Sequence, residues 1–160
     1  MIINTIFEIE KEYIQCIHLN PDEKLEELRR ITGKEEIDFK DSNHIEILTD
    51  FFMKKSPKSD GNFLLWMYAI GSHIIGKFDG KWILIHHTGE GLNRHVPAVV
   101  NIDNDIWQVG DFCYLYYYQK KRMHGISFMT FYKFDIERVY WKPKYTDLNI
   151  PEENFIFIEN

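Results

Sequence analysis

Residues 62–101 read NFLLWMYAIGSHIIGKFDGKWILIHHTGEGLNRHVPAVVN, and this stretch decides the fold. Over 62–78, Phe63, Met67, Ile70, Ile74 and Phe78 recur on one helical face, while Leu64, Leu65, Trp66, Tyr68 and Ile75 fill most of the rest. A helix apolar on nearly every side is buried on several sides. Gly71 and Gly76 each cost roughly 1 kcal/mol against Ala in a helix, and close approach of another element is the usual compensation. The sheet is therefore expected on the glycine side. Asp79-Gly80 signals a turn, and 81–87 is β-branched and aromatic enough for a strand. Trp82, Leu84 and His86 share one face of that strand, Ile83, Ile85 and His87 the other, so both faces are apolar for most of its length. That pattern predicts an interior strand. After a glycine-containing loop at 88–94, residues 95–102 form a second strand, with Pro97 expected at its start or on an edge.

Working outward, apolar residues at helical spacing predict a first helix over 3–19, with Ile6, Ile9, Tyr13 and Ile17 in register. Asn20-Pro21-Asp22-Glu23 restarts the chain as an N-cap, a first-position proline and two acids at the positive end of a helix dipole. That second helix runs to about Thr32 and stops at Gly33. Residues 35–40 favour neither state. Asp41 or Ser42 caps a third helix with Ile45, Leu48 and Phe52 on one stripe, and 56–61 is a loop between helices. Beyond the centre, Asp103-Asn104-Asp105 turns into a short strand at 106–109, and 110–123 is helical. For 126–141, the alternation of Ile126, Phe128, Thr130, Tyr132, Phe134 and Ile136 favours a strand, although Phe128, Phe131 and Phe134 to Asp135 would also serve a helix. Residues 142–160 read as an extended tail in which Phe155-Ile156-Phe157-Ile158 adds an edge strand. The expectation is one α+β domain: helices over 1–56, a helix-plus-sheet core over 62–141 with a mostly antiparallel sheet, then the tail.

The chain's 160 residues suffice for one core, which at this length buries roughly 70% of the unfolded surface. Nine Tyr and twelve Phe indicate a well-filled interior. Of the net charge of −6, residues 1–60 contribute fourteen acids against nine bases. The acidic surplus suits a basic protein partner and argues against nucleic acid, whose phosphates need clustered Lys and Arg. The one compact basic run is Lys120-Lys121-Arg122. Cys16 and Cys113 are far apart and in no CxxC, which reads as two reduced, buried thiols in a cytoplasmic protein. The start turns acidic too early for a signal peptide, and the longest apolar run falls well short of the ~20 residues that span a bilayer. No membrane association is expected.

An apolar helix with an internal Ala69-Ile70-Gly71, then Gly80-Lys81-Trp82, then Val96-Pro97-Ala98-Val99-Val100 resembles a pattern in small bacterial α+β domains of unknown function. Several of those resemble the immunity proteins that neutralise polymorphic toxins. The pattern covers about a quarter of the chain, and its residues are structural: a helix-packing glycine, a core tryptophan and a strand-starting proline. The resemblance implies the fold more than the function, with a non-catalytic inhibitor of the immunity type as one activity in keeping with it, and it carries over no catalytic residue because the pattern defines none.

Two groups of residues are candidate sites. Trp107, Tyr114, Tyr117, Tyr118 and Trp141 belong to an aromatic series that is either core cover or, rimmed by charge, a protein interface or homodimer face. His86, His87 and His95 flank one turn, with Glu90 in it and His73 on the helix opposite. Imidazoles and a carboxylate so placed are a donor set for zinc or another divalent metal. Against this, adjacent histidines in a strand point to opposite faces, and no HExxH or regular His spacing is present. Cys113 with Asp111 and His124 lacks the electropositive setting of a nucleophilic thiol. Ser72-His73 is no nucleophile elbow, and Gly89-Glu90-Gly91 lacks the lysine and the helix of a phosphate loop. Asp103, Asp105 and Asp111 read as turn and capping residues rather than paired acids. The leading expectation is a non-catalytic protein-binding domain, and a metal or small-ligand site at the histidine turn is the alternative.

Overall fold

The computed structural model describes residues 21–88, 94–119, 127–139 and 141–157. The first helix and Cys16, the loop with Glu90, and Lys120, Lys121, Arg122 and His124 lie outside the described residues. The architecture is α+β, with five α-helices and one four-stranded antiparallel sheet among the described residues.

Helix α1 (Pro21–Thr32) ends where expected, at Gly33 with φ +70. The ambiguous segment after it is a turn with buried contents. Ile37 is fully buried and Phe39 nearly so, and Arg29 Nε donates to Ile37 O at 2.9 Å. Helix α2 (Ser42–Asp50) starts because Asp41 accepts from the Asn43 backbone N–H, and it runs on as one π-helical stretch, Phe51–Lys55. Its stripe of Ile45, Leu48 and Phe52 has no solvent exposure. Helix α3 (Asp60–Phe78) begins two residues earlier than the loop-like Ser56–Gly61 sequence predicts, since Ser59 Oγ caps Asn62 N–H. It is the spine of the main core, with Phe63, Trp66, Met67, Ala69, Ile70 and Ile74 completely buried. Asp79, at φ 58, ends it and aims the chain into the sheet. No helix among the described residues is long and apolar enough to cross a membrane.

Strands β1 (Gly80–His87), β2 (Arg94–Asn101), β3 (Ile106–Trp107) and β4 (Phe155–Phe157) lie in the order β3-β2-β1-β4, so β1 is interior. Trp82, Leu84, Val99 and Trp107 face α3 and join the main core. The alternate residues Ile83, Ile85, Ala98, Val100 and Ile106 make a second, smaller core with Phe155, closed by Tyr145, Leu148 and Ile150 from the chain's end. The tail is thus a lid on the far face of the sheet, tied by Asn154 Nδ2 to His86 O at 2.9 Å. Pro97 is the fourth residue of β2 and not its start. It stands beyond the two residues paired with β3, where no strand asks for its missing N–H.

The glycine expectation holds at one of its two positions. A Cβ on Gly71 would lie 1.9 Å from the Trp82 ring, so helix and sheet meet there through an indole. Gly76 meets only Lys40, at 3.8 Å, and faces away from the sheet.

Helix α4 (Val109–Gln119) follows the short β3. The strand expected over 126–141 is absent; a short helix, α5 (Phe128–Phe131), capped by Ser127, continues as a π-helical turn, Tyr132–Glu137, and stops at Arg138 with φ 53. The reason is which side chains the main core takes. Phe131, Tyr132 and Ile136 are buried and Phe128 partly so, a helical spacing, whereas a strand would have buried Thr130 and Phe134, both exposed.

Candidate functional site

The aromatic series divides by burial. Trp107, Tyr114 and Tyr117 are 2% exposed or less and belong to the core, so the expectation of an interface at these three gives way to the expectation of core cover. Phe63 packs on Tyr114, Tyr117 and Tyr118, and Trp66 stacks on Tyr116 and Tyr117. Tyr118 is half-buried and donates to Asp60, and burial with that carboxylate beside it pushes the phenol well up. Trp141 alone of the five stands in solvent, 72% exposed.

The histidines that flank the turn are arranged in cross-strand pairs. His86 and His95 are cross-strand partners whose rings stack 4.2 Å apart at 8°, while His87 pairs with Arg94. Burial lowers the His87 imidazole, partly opposed by Asp111, and its Nε2 is buried with no hydrogen-bond partner among the described residues. Among the described residues, no group of three or more His, Cys, Asp or Glu is placed to hold a metal ion. His73 is a core histidine. Its Nδ1 lies 2.5 Å from Phe39 O and its Nε2 lies 2.6 Å from the Tyr132 hydroxyl, which fits a neutral ring with N–H on Nδ1. Desolvation lowers its pKa accordingly. Cys113 is fully buried, with its thiol raised well above the ordinary value by desolvation, so it does not supply a thiolate.

A groove that sequence reasoning missed lies between α4 and the π-helical turn. Its volume is about 390 Å³, and its lining includes Trp107, Leu115, Phe134, Asp135, Arg138 and Trp141. The rim is apolar and open, with Leu115 45%, Phe134 56% and Trp141 72% exposed. Its floor is charged. Arg138 is 6% exposed, donates through Nη1 to Ile106 O, and lies 4.0 Å over the Trp107 ring. Desolvation brings its guanidinium down to about 10, with Asp105 opposing. Asp135, partly buried in the same wall, has its carboxyl pushed up to about 6 by desolvation. Asp111 is held by Arg94 at 3.4 Å. A helical reading of 128–138 brings Phe134 and Arg138 together at i, i+4 spacing, whereas a strand would hold them roughly 13 Å apart along one face.

The chain matches no protein-family model, no curated protein and no solved structure.

Proposed function

We propose that the chain is a non-catalytic protein-binding domain whose partner docks on the groove rim formed by Leu115, Phe134 and Trp141. One observation carries the reading: three large apolar side chains, each 45% exposed or more, surround a groove floored by a buried arginine. Monomeric proteins rarely leave such side chains gathered together, and Trp and Arg are the residues on which interface energy concentrates. The acidic balance of residues 1–60 adds an electrostatic preference for a basic partner. Inhibition of a toxin in the immunity manner is the activity in view, supported by the resemblance of residues 62–101. The partner is a protein and not a nucleic acid.

The test compares the tagged full chain with a Phe134→Ser/Trp141→Ser double variant whose circular dichroism melt matches it. A stoichiometric partner recovered from native lysate by the parent and reduced roughly tenfold or more by the double variant is expected. A partner retained equally by both would move the surface elsewhere. A doubled mass in light scattering, lost in the variant, would make the occupant a second copy and contradict the inhibitor reading.

A further inference from the structure

Most buried polar side chains among the described residues have their hydrogen bonds made. The Trp66 indole donates to Thr49 Oγ1 at 2.9 Å, the Trp107 indole to Ile136 O at 2.8 Å, and His73 uses both ring nitrogens. Arg138 is different. Nη1 is anchored on Ile106 O and one face of the guanidinium is covered by Trp107, yet Nε and Nη2 are buried and no group among the described residues accepts from them. These two nitrogens lie side by side on one edge of the guanidinium, the edge that meets both oxygens of a carboxylate in parallel. Leaving a buried donor unpaired is costly, so a pair of them on the wall of a groove calls for an acceptor.

We propose that this groove is a binding site for a carboxylate carried on a flat apolar body, with Arg138 Nε and Nη2 donating to the two oxygens and the rings of Phe134 and Trp141 covering the body. The volume, about 390 Å³, is at the small end for ligand pockets and suits a body of one or two rings. The surrounding charges select among anions. Among the described residues Arg138 is the one cation in the lining, Asp111 and Asp135 line the same groove, and Asp105, itself held by Lys144 at 2.8 Å, offsets part of the arginine's charge. A dianionic phosphate would meet these carboxylates with one positive charge against it; a monoanion is matched by the single fork. Since Nε and Nη2 are sealed from solvent, the acid reaches them by displacing side chains of the lining, among which Trp141, 72% exposed, has open space to turn. The proposal stands whether or not the rim is also a protein-docking face.

The experiment titrates the isotopically labelled full chain with phenylacetate and follows the Arg138 Nε–H and the Trp107 and Trp141 indole N–H resonances. Phenylacetate is expected to shift all three saturably, and the neutral isostere phenylacetamide to bind roughly tenfold or more weaker. Arg138→Lys, which keeps the charge and loses the fork, should weaken phenylacetate selectively, and Arg138→Met should abolish the difference between acid and amide. A parallel titration with N-acetylphenylalanine distinguishes sources: tighter binding than phenylacetate identifies a chain terminus as the natural carboxylate, weaker binding a free acid. Equal shifts by acid and amide, no shift of the Arg138 signal, or equal affinity for inorganic phosphate would each overturn the proposal.

Discussion

At Gly71 a single added methyl would lie 1.9 Å from the Trp82 indole, whereas at Arg138 two donors lie buried without an acceptor among the described residues, and Phe134 and Trp141 on the rim above are more than half exposed. The first region, the seam between α3 and the sheet, is packed to the limit expected of a protein interior. The second, the groove beside α4, departs from that rule in both its polar bonding and its apolar cover. A chain that fills one region so closely does not leave the other unfinished for want of side chains. The difference separates what holds the fold from what is offered to another molecule.

The sharpest way to break the comparison is at the filled seam. Gly71→Ala should lower stability by about 2 kcal/mol in urea unfolding, since the Trp82 ring must move by more than the gain in helix propensity offsets. Gly76→Ala, whose new methyl meets only Lys40 at 3.8 Å, should instead gain up to about 1 kcal/mol. Changes of the same sign at both glycines would show that the seam is looser than described.

Acid should act oppositely on the two regions. His73 in the core has its pKa lowered below 6.5 by desolvation, so the unfolded chain takes up its proton first. Its contribution is complete above about pH 6.5 and is lost as the pH falls towards the folded value. Asp135 in the groove is raised from 3.8 to about 6, so the folded chain takes up its proton first. Its contribution is complete below the unfolded value and is lost as the pH rises through the folded one. Asp135→Asn should match the parent near the unfolded value and exceed it at neutral pH, by about 1–2 kcal/mol once solvent screening is allowed for. An Asn variant less stable than the parent at neutral pH would mean that the carboxylate is held by a favourable contact.

The filled region was the legible one. The two apolar faces of 82–85 predict an interior strand, and β1 lies between β2 and β4 with one face packed on α3 and the other under the tail. The stripes of α2 and α3 and the stop at Gly33 rest on spacing and caps that act within a few residues, and they appear where expected. The start of α3 moved by two residues because one hydroxyl, Ser59 Oγ, outweighs a loop-like composition. Residues 128–137 mislead because four aromatics in ten positions, together with Ile136, satisfy both a period of two and a helical one. What decides between the periods is the long-range pairing of Phe131 with Trp66, Phe112 and Tyr116, which no local pattern contains. The groove followed from that segment, so its residues were hidden with it; of the aromatic candidates named from sequence, Trp141 is the one on its rim and Trp107 the one in its floor. The adjacent histidines attracted attention by composition, yet the strand sends them to opposite faces, leaving a stacked His86–His95 pair.

Arg138→Met in urea unfolding tests the separation of fold from site most directly. If Arg138 is held for a ligand, Met of similar length removes two donors unpaired among the described residues and a desolvated charge, while losing one bond to Ile106 O and the cation contact over Trp107, and Asp105 keeps Lys144. The unfolding free energy should then stay within about 1 kcal/mol of the parent. A loss of roughly 3 kcal/mol or more would make Arg138 a structural staple of the core and contradict the account.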